Sequence, residues 1–185
     1  MTVETPSSGT ATSGPTVPDP ERADLLSVLA EHRHLLRYTT RDLTDEQARM
    51  RTTVSDLCLG GIIKHVAAME RQWVDFILQG PSAMKDLSEL TEEDFAEFDA
   101  GFRLGPDETL AGVLADYEAA ARRTDEVIAT LPDLNVAHPL PDVPWLPSGE
   151  WTARRVILHL VAEIAKHAGH ADIIRESLDG AKTMG

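Results

Sequence analysis

Apolar residues along this chain recur at steps of three and four, the spacing of one face of an α-helix. From Pro20 to about Thr39 that face carries Leu25, Leu29, His32 and Leu36. A short piece follows in "LTDEQARM", where Thr44 and Gln47 form a capping-box signature. From about Leu57 to Leu78 the stripe Leu59, Ile62, Val66, Met69, Trp73 and Phe76 alternates threes and fours, the seam of a helix bundle. Gly80-Pro81 stops it. Residues 81 to 106 are acidic and broken, and Phe95, Phe98 and Phe102 predict a short surface helix or ordered loop lying over the bundle. A third long helix is expected from about Asp107 to Leu131, carrying Leu110, Leu114, Tyr117, Thr124 and Leu131. Prolines crowd the stretch from Pro132 to Pro147, which argues against helix there. The last long helix runs from about Thr152, an N-cap, to Leu178, with Gly180 as terminator.

Four long helices and no convincing strand predict an all-α protein, a four-helix bundle with a long Pro-rich connection before its last helix. At 185 residues the chain suits one domain. Residues 1–18 are Thr, Ser, Gly and Pro with almost nothing to bury, so we expect a disordered tail there and the bundle over 19–185. Trp145 and Trp151 are expected to pack the connection onto the last helix.

The last helix breaks its own pattern. Its seam reads Val156, Leu160, Glu163, His167, His170, Ile174, Leu178: apolar at both ends and polar in the middle. On a continuous helix, Glu163, His167 and His170 point into the bundle or a cavity within it. An unpaired buried charge costs several kcal/mol, so Glu163 must be protonated, paired, solvated or bound to a cation. Glu163 and His167 lie one turn apart, the spacing by which a helix offers two ligands to one metal. The pair is a weak signal alone. His65, bordering the seam of the second long helix, is the candidate third ligand, although a core-facing histidine more often simply hydrogen-bonds. The carboxylates are too few for a di-metal bundle, so a mononuclear site is favoured.

Charge and cysteine content narrow the function. A net charge of −14 is hard to reconcile with nucleic-acid binding or an anionic membrane surface. The single cysteine, Cys58, allows no intrachain disulfide and no multi-cysteine metal cage, and it reads as a small buried hydrophobe. With neither a secretory signal nor a spanning segment in the sequence, the cytoplasm is the default expectation.

The segments "GGIIKHVAAMERQW", "LTDEQ" and above all "WTARRVILHLVAEIAKHAGHADIIRE" resemble the DinB-like superfamily, within it the branch holding mycothiol-dependent maleylpyruvate isomerase and the thiol S-transferases. The resemblance covers most of residues 21 to 180. It implies a DinB-type bundle and a divalent metal, often zinc, at the positions matching His65, Glu163 and His167. Many relatives have His where this chain has Glu163, while the isomerase branch has Glu. His170 stands where many relatives have Gln, which implies a neighbouring or substrate-contacting group and not a required ligand.

Two imidazoles and a carboxylate with open positions suit catalytic Zn²⁺, and equally Ni²⁺, Co²⁺, Mn²⁺ or Fe²⁺. A thiol on such a metal is deprotonated, and the thiolate is the nucleophile. The leading expectation is transfer of a low-molecular-weight, mycothiol-like thiol to a small electrophile. Arg154 and Arg155 are candidates to meet a carboxylate on either molecule, and Trp73 to wall the pocket, though exposed arginine and packed tryptophan are the commoner roles. Metal-assisted hydrolysis with Glu163 or His170 activating water, a metal-stabilised binding module, and a metal-free structural bundle are the alternatives. A homodimer is expected from apolar stretches beside the bundle.

Overall fold

The computed structural model describes residues 19–183; the expected tail, 1–18, lies outside the described residues. The elements are α1 (Pro20–Tyr38), α2 (Asp45–Arg49), α3 (Leu59–Gln79), α4 (Glu92–Gly101), α5 (Leu110–Thr130), β1 (Ala137–Pro139), β2 (Glu150–Thr152) and α6 (Ala153–Asp179). Two short 3₁₀ turns, Gly80–Ala83 and Leu87–Glu89, separate α3 from α4.

The helix ends follow the chemistry of their boundary residues. Asp19 caps α1 ahead of Pro20, whose missing N–H costs nothing in the first turn. Thr44 and Gln47 close the capping box of α2 from both sides. Thr109 and Thr152 cap α5 and α6 through their hydroxyls. Gly180 ends α6 in the left-handed conformation at φ 79°. Gly80, at φ 70°, ends α3 where a Cβ would stand 2.8 Å from the His138 ring.

α1, α3, α5 and α6 pack around one core. Leu29, Leu36, Ile62, Ile63, Val66, Phe76, Val156, Leu160 and Ile164 are wholly buried there. The protein is mostly helical, with one correction: the Pro-rich connection contains a small antiparallel sheet, His138 opposite Trp151. Three residues per strand are too few to show an alternating pattern in the sequence. Of the two tryptophans expected to pack this connection, only Trp151 does so, stacked on Trp73 with centroids 5.1 Å apart; Trp145 is exposed. No helix among the described residues is long and apolar enough to cross a membrane.

The apolar pattern misplaced one face. His32 was expected on the buried side of α1, but Arg33 is the buried residue and His32 is only partly covered. Arg33 is tolerated there because Glu70 of α3, wholly buried, meets it with two bonds: Nε to Oε1 at 2.9 Å and Nη2 to Oε2 at 2.7 Å. Its Nη1 donates to Asp125 of α5 at 2.7 Å, and the Thr124 hydroxyl donates to Glu70 at 2.9 Å. Burial works against the Arg33 charge, yet Glu70 and Asp125 outweigh it and hold its pKa above the ordinary value. Burial, then the Glu70 charge, pushes the Tyr117 phenol up.

Glu70→Ala strands the Arg33 guanidinium in the core. We expect a loss of about 3–5 kcal/mol in urea unfolding. The double substitution Arg33→Met with Glu70→Leu removes both charges and should recover most of that loss.

Candidate functional site

Helix α6 presents His159, Glu163 and His167 at successive intervals of four, so one stripe of the helix carries all three. Helix α3 brings His65 to the same place. The His65 and His167 rings lie 4.9 Å apart, centre to centre, nearly edge to face. The Glu163 carboxylate reaches within 3.8 Å of His167 Nε2. The structure therefore brings together the three residues singled out in the sequence.

A pair of glycines shapes the other wall. A Cβ on Gly61 would overlap the Phe102 carbonyl, and one on Gly60 would stand 2.8 Å from a Leu104 methyl. The Phe102–Arg103 backbone and the Leu104 side chain thus lie directly on the first turn of α3. That approach lays the Phe102 ring on His65, stacked at 3.9 Å and 22°. Phe98 of α4 meets His65 edge-on at 6.0 Å. The expected short surface helix therefore exists and borders the site.

The electrostatics favour neutral imidazoles. Burial is the main cause that pushes His65 down to about 4, aided by repulsion from His167 and opposed by Glu163. Burial also drives His167 to about 4, with Lys166 adding to the shift and Glu163 opposing it. Each ring therefore keeps a free lone pair at neutral pH. Burial tends to raise the Glu163 pKa, but the hydrogen bond and charge of Lys166 outweigh it and the group is held below its usual range. Glu163 accepts from Lys166 Nζ at 2.6 Å. His167 Nδ1 is buried without a hydrogen-bond partner, a costly state that a ligand would relieve.

Those features fit a divalent cation in the kind of donor offered. Imidazole nitrogens and a carboxylate are the donors zinc takes, and the two rings stand 4.9 Å apart centre to centre. As placed, however, no three His, Cys, Asp or Glu side chains among the described residues converge on a common metal position. The Glu163 carboxylate is paired with Lys166 while lying 3.8 Å from His167 Nε2.

Other candidates fall elsewhere. His170 was expected to face the interior with Glu163 and His167; it is exposed, its ring 5.7 Å from that of His167. A step of three from His167 carries it round the helix past the buried stripe. Arg154 pairs with Glu21 of α1 and donates to Asn135 at 2.5 Å, which ties the start of α6 to α1. Arg155 lies over Trp151 at 4.3 Å. Trp73 is buried against Trp151 and the edge of His159. Cys58 is buried ahead of α3. Sequence reasoning missed His159, although its place one turn before Glu163 was a usable signal. The role of Gly60 and Gly61 in admitting Phe102 carries no signal in the local pattern.

Fold and site together define a mostly helical protein with two neutral imidazoles and a carboxylate gathered between two long helices. The family model described as Mycothiol-S-transferase matches residues 24–180, and the chain belongs to that family. No curated protein matches it.

Two outcomes follow for the metal-free protein. Histidine NMR titration should find His65 and His167 protonating only near pH 4. Between the ordinary histidine value of about 6.5 and that point, the unfolded chain binds protons that the folded one refuses. Stability should therefore fall as pH drops through this window, read by unfolding at fixed ionic strength. Separately, Gly61→Ala should push Phe102 off His65 and move the His65 ring resonances, with a stability loss of about 1–3 kcal/mol from overpacking.

Proposed function

We propose that this protein is a metal-dependent thiol S-transferase that joins a low-molecular-weight, mycothiol-like thiol to a small electrophile. The observation that carries the reading is the pair of neutral imidazoles, His65 and His167, 4.9 Å apart with Glu163 within 3.8 Å of His167 Nε2. Family membership supplies the thiol. His65, Glu163 and His167 are the residues that would hold a divalent cation, Zn²⁺ first among Ni²⁺, Co²⁺, Mn²⁺ and Fe²⁺. When bound, that ion supplies the Lewis acidity that keeps a thiol sulfur ionised at neutral pH.

The chain's own residues do the rest. His65 and His167 stay uncharged and so retain donor lone pairs. Phe102 fixes the plane of His65 by stacking. Glu163 stays ionised and contributes negative charge one turn from His167, and Lys166 pairs with it. His159 continues the polar stripe toward Trp73, and burial lowers its pKa too. The four long helices act as the bundle of the DinB-like type. A cytoplasmic setting, where thiols stay reduced, agrees with the one free cysteine. Leu158 and Ile173, exposed along the outer side of α6, support a homodimer.

The test combines metal analysis with turnover. Wild type should retain near-stoichiometric metal, and His65→Ala and His167→Ala should each lose it. Loss of an orienting neighbour alone typically costs about 10–100-fold in metal affinity or activity; removing a ligand should cost at least the upper figure in mycothiol-dependent conjugation. Turnover that persists without added thiol would make the protein a hydrolase instead. Unchanged metal content in either variant would remove that residue from the site.

A further inference from the structure

Helix α4 borders the site and buries none of its own residues. Phe98 and Phe95, one turn apart, are 61% and 50% exposed. Phe98 is no stray surface residue: its ring lies edge-on to His65 at 6.0 Å and to Phe102 at 5.3 Å. Aromatic surface therefore continues without a break from the buried imidazoles to the solvent. Along the same helix stand Glu92, Glu93, Asp94, Glu97 and Asp99, with no basic residue between Glu92 and Gly101. Lys85 pairs with Asp94 at 2.7 Å, and Arg103 lines a cavity with Asp99. A wet aromatic face flanked by an excess of carboxylates accepts a flat aromatic molecule and disfavours an anion.

We propose that Phe98, with Phe95 beside it, forms the electrophile subsite, and that the electrophile is aromatic and carries no negative charge. This rests on the S-transferase reading above and adds the substrate class to it. For an aryl halide the step balances as a substitution. The thiol sulfur bonds to the halogen-bearing ring carbon, the carbon–halogen bond breaks, halide leaves with its electron pair, and the thiol proton passes to solvent. Phe98 lies beside the reacting groups and holds the flat ring by edge or face contact, so its effect belongs in KM for aromatic substrates.

The experiment compares wild type, Phe98→Ala and Phe98→Tyr. Turnover with mycothiol is measured on chlorodinitrobenzene, neutral iodoacetamide and anionic iodoacetate. Binding of unreactive dinitrobenzene is measured by calorimetry. In wild type we expect iodoacetate to be a poorer substrate than iodoacetamide. Phe98→Ala should weaken dinitrobenzene binding about three- to tenfold, and lower the preference for the aryl halide over iodoacetamide by a similar factor, through KM. Phe98→Tyr should restore both. Equal losses on the aromatic and aliphatic substrates, or dinitrobenzene binding that ignores Phe98, would overturn the subsite while leaving S-transfer standing. Dinitrobenzene binding that depends on Phe98 in a protein without thiol-dependent turnover would uphold the subsite and overturn the S-transferase reading.

Discussion

Glu70 sits in the core with no access to water, and three helices meet around it. A carboxylate in that position is stable only if cations and donors enclose it, and here Arg33 from α1 and Thr124 from α5 do so. The requirement is directional. Two parallel guanidinium bonds fix the rotation and height of α1 against α3, while leucine and valine contacts alone would tolerate a slip. Asp125 extends the lock to α5. At the other end of the molecule, buried Arg175 of α6 donates to the carbonyls of Thr39 and Arg41 and ties the last helix to the turn after α1. The relative placement of α3 and α6, on which the two-imidazole site depends, is thus constrained through α1 by polar bonds from residues beside the apolar seams.

The site uses the same physics with the opposite outcome. Glu70 is fully answered from within the protein. Around His65 and His167 the accounting is left open: two rings are buried enough to stay neutral, and one ring nitrogen has no partner. Folding to such an arrangement costs stability that a closed apolar seam would keep. Unsatisfied donors held in place between rigid helices are characteristic of binding sites. The Lys166–Glu163 pair fits this picture, because it keeps the carboxylate ionised beside His167.

Small residues in α3 decide what covers the site. Gly60 and Gly61 cost helical propensity, yet they let the segment after α4 lie against the helix and place Phe102 on His65. The acidic helix α4, capped by Thr91 and paired with Lys85, then lies beside His65 with its aromatic side chains largely exposed. Electrostatics and shape both follow from that one close backbone approach.

The sequence alone determined the long helices and their ends, because periodicity, capping threonines and terminal glycines act locally. It also determined which chemistry was on offer, since Glu163 and His167 at a spacing of four interrupt an apolar seam that is otherwise continuous. Only the tertiary structure decided that His65 stands opposite them, that Arg33 and not His32 lies inside, and that His170 faces solvent. These depend on how far each helix is rotated about its axis. A rotation of less than one residue's arc exchanges neighbouring positions between core and surface, and it is set by partners distant in the chain, such as Glu70 for Arg33. The short sheet and the stacking of Trp73 on Trp151 likewise arise from the return of the Pro-rich connection, which no local pattern encodes.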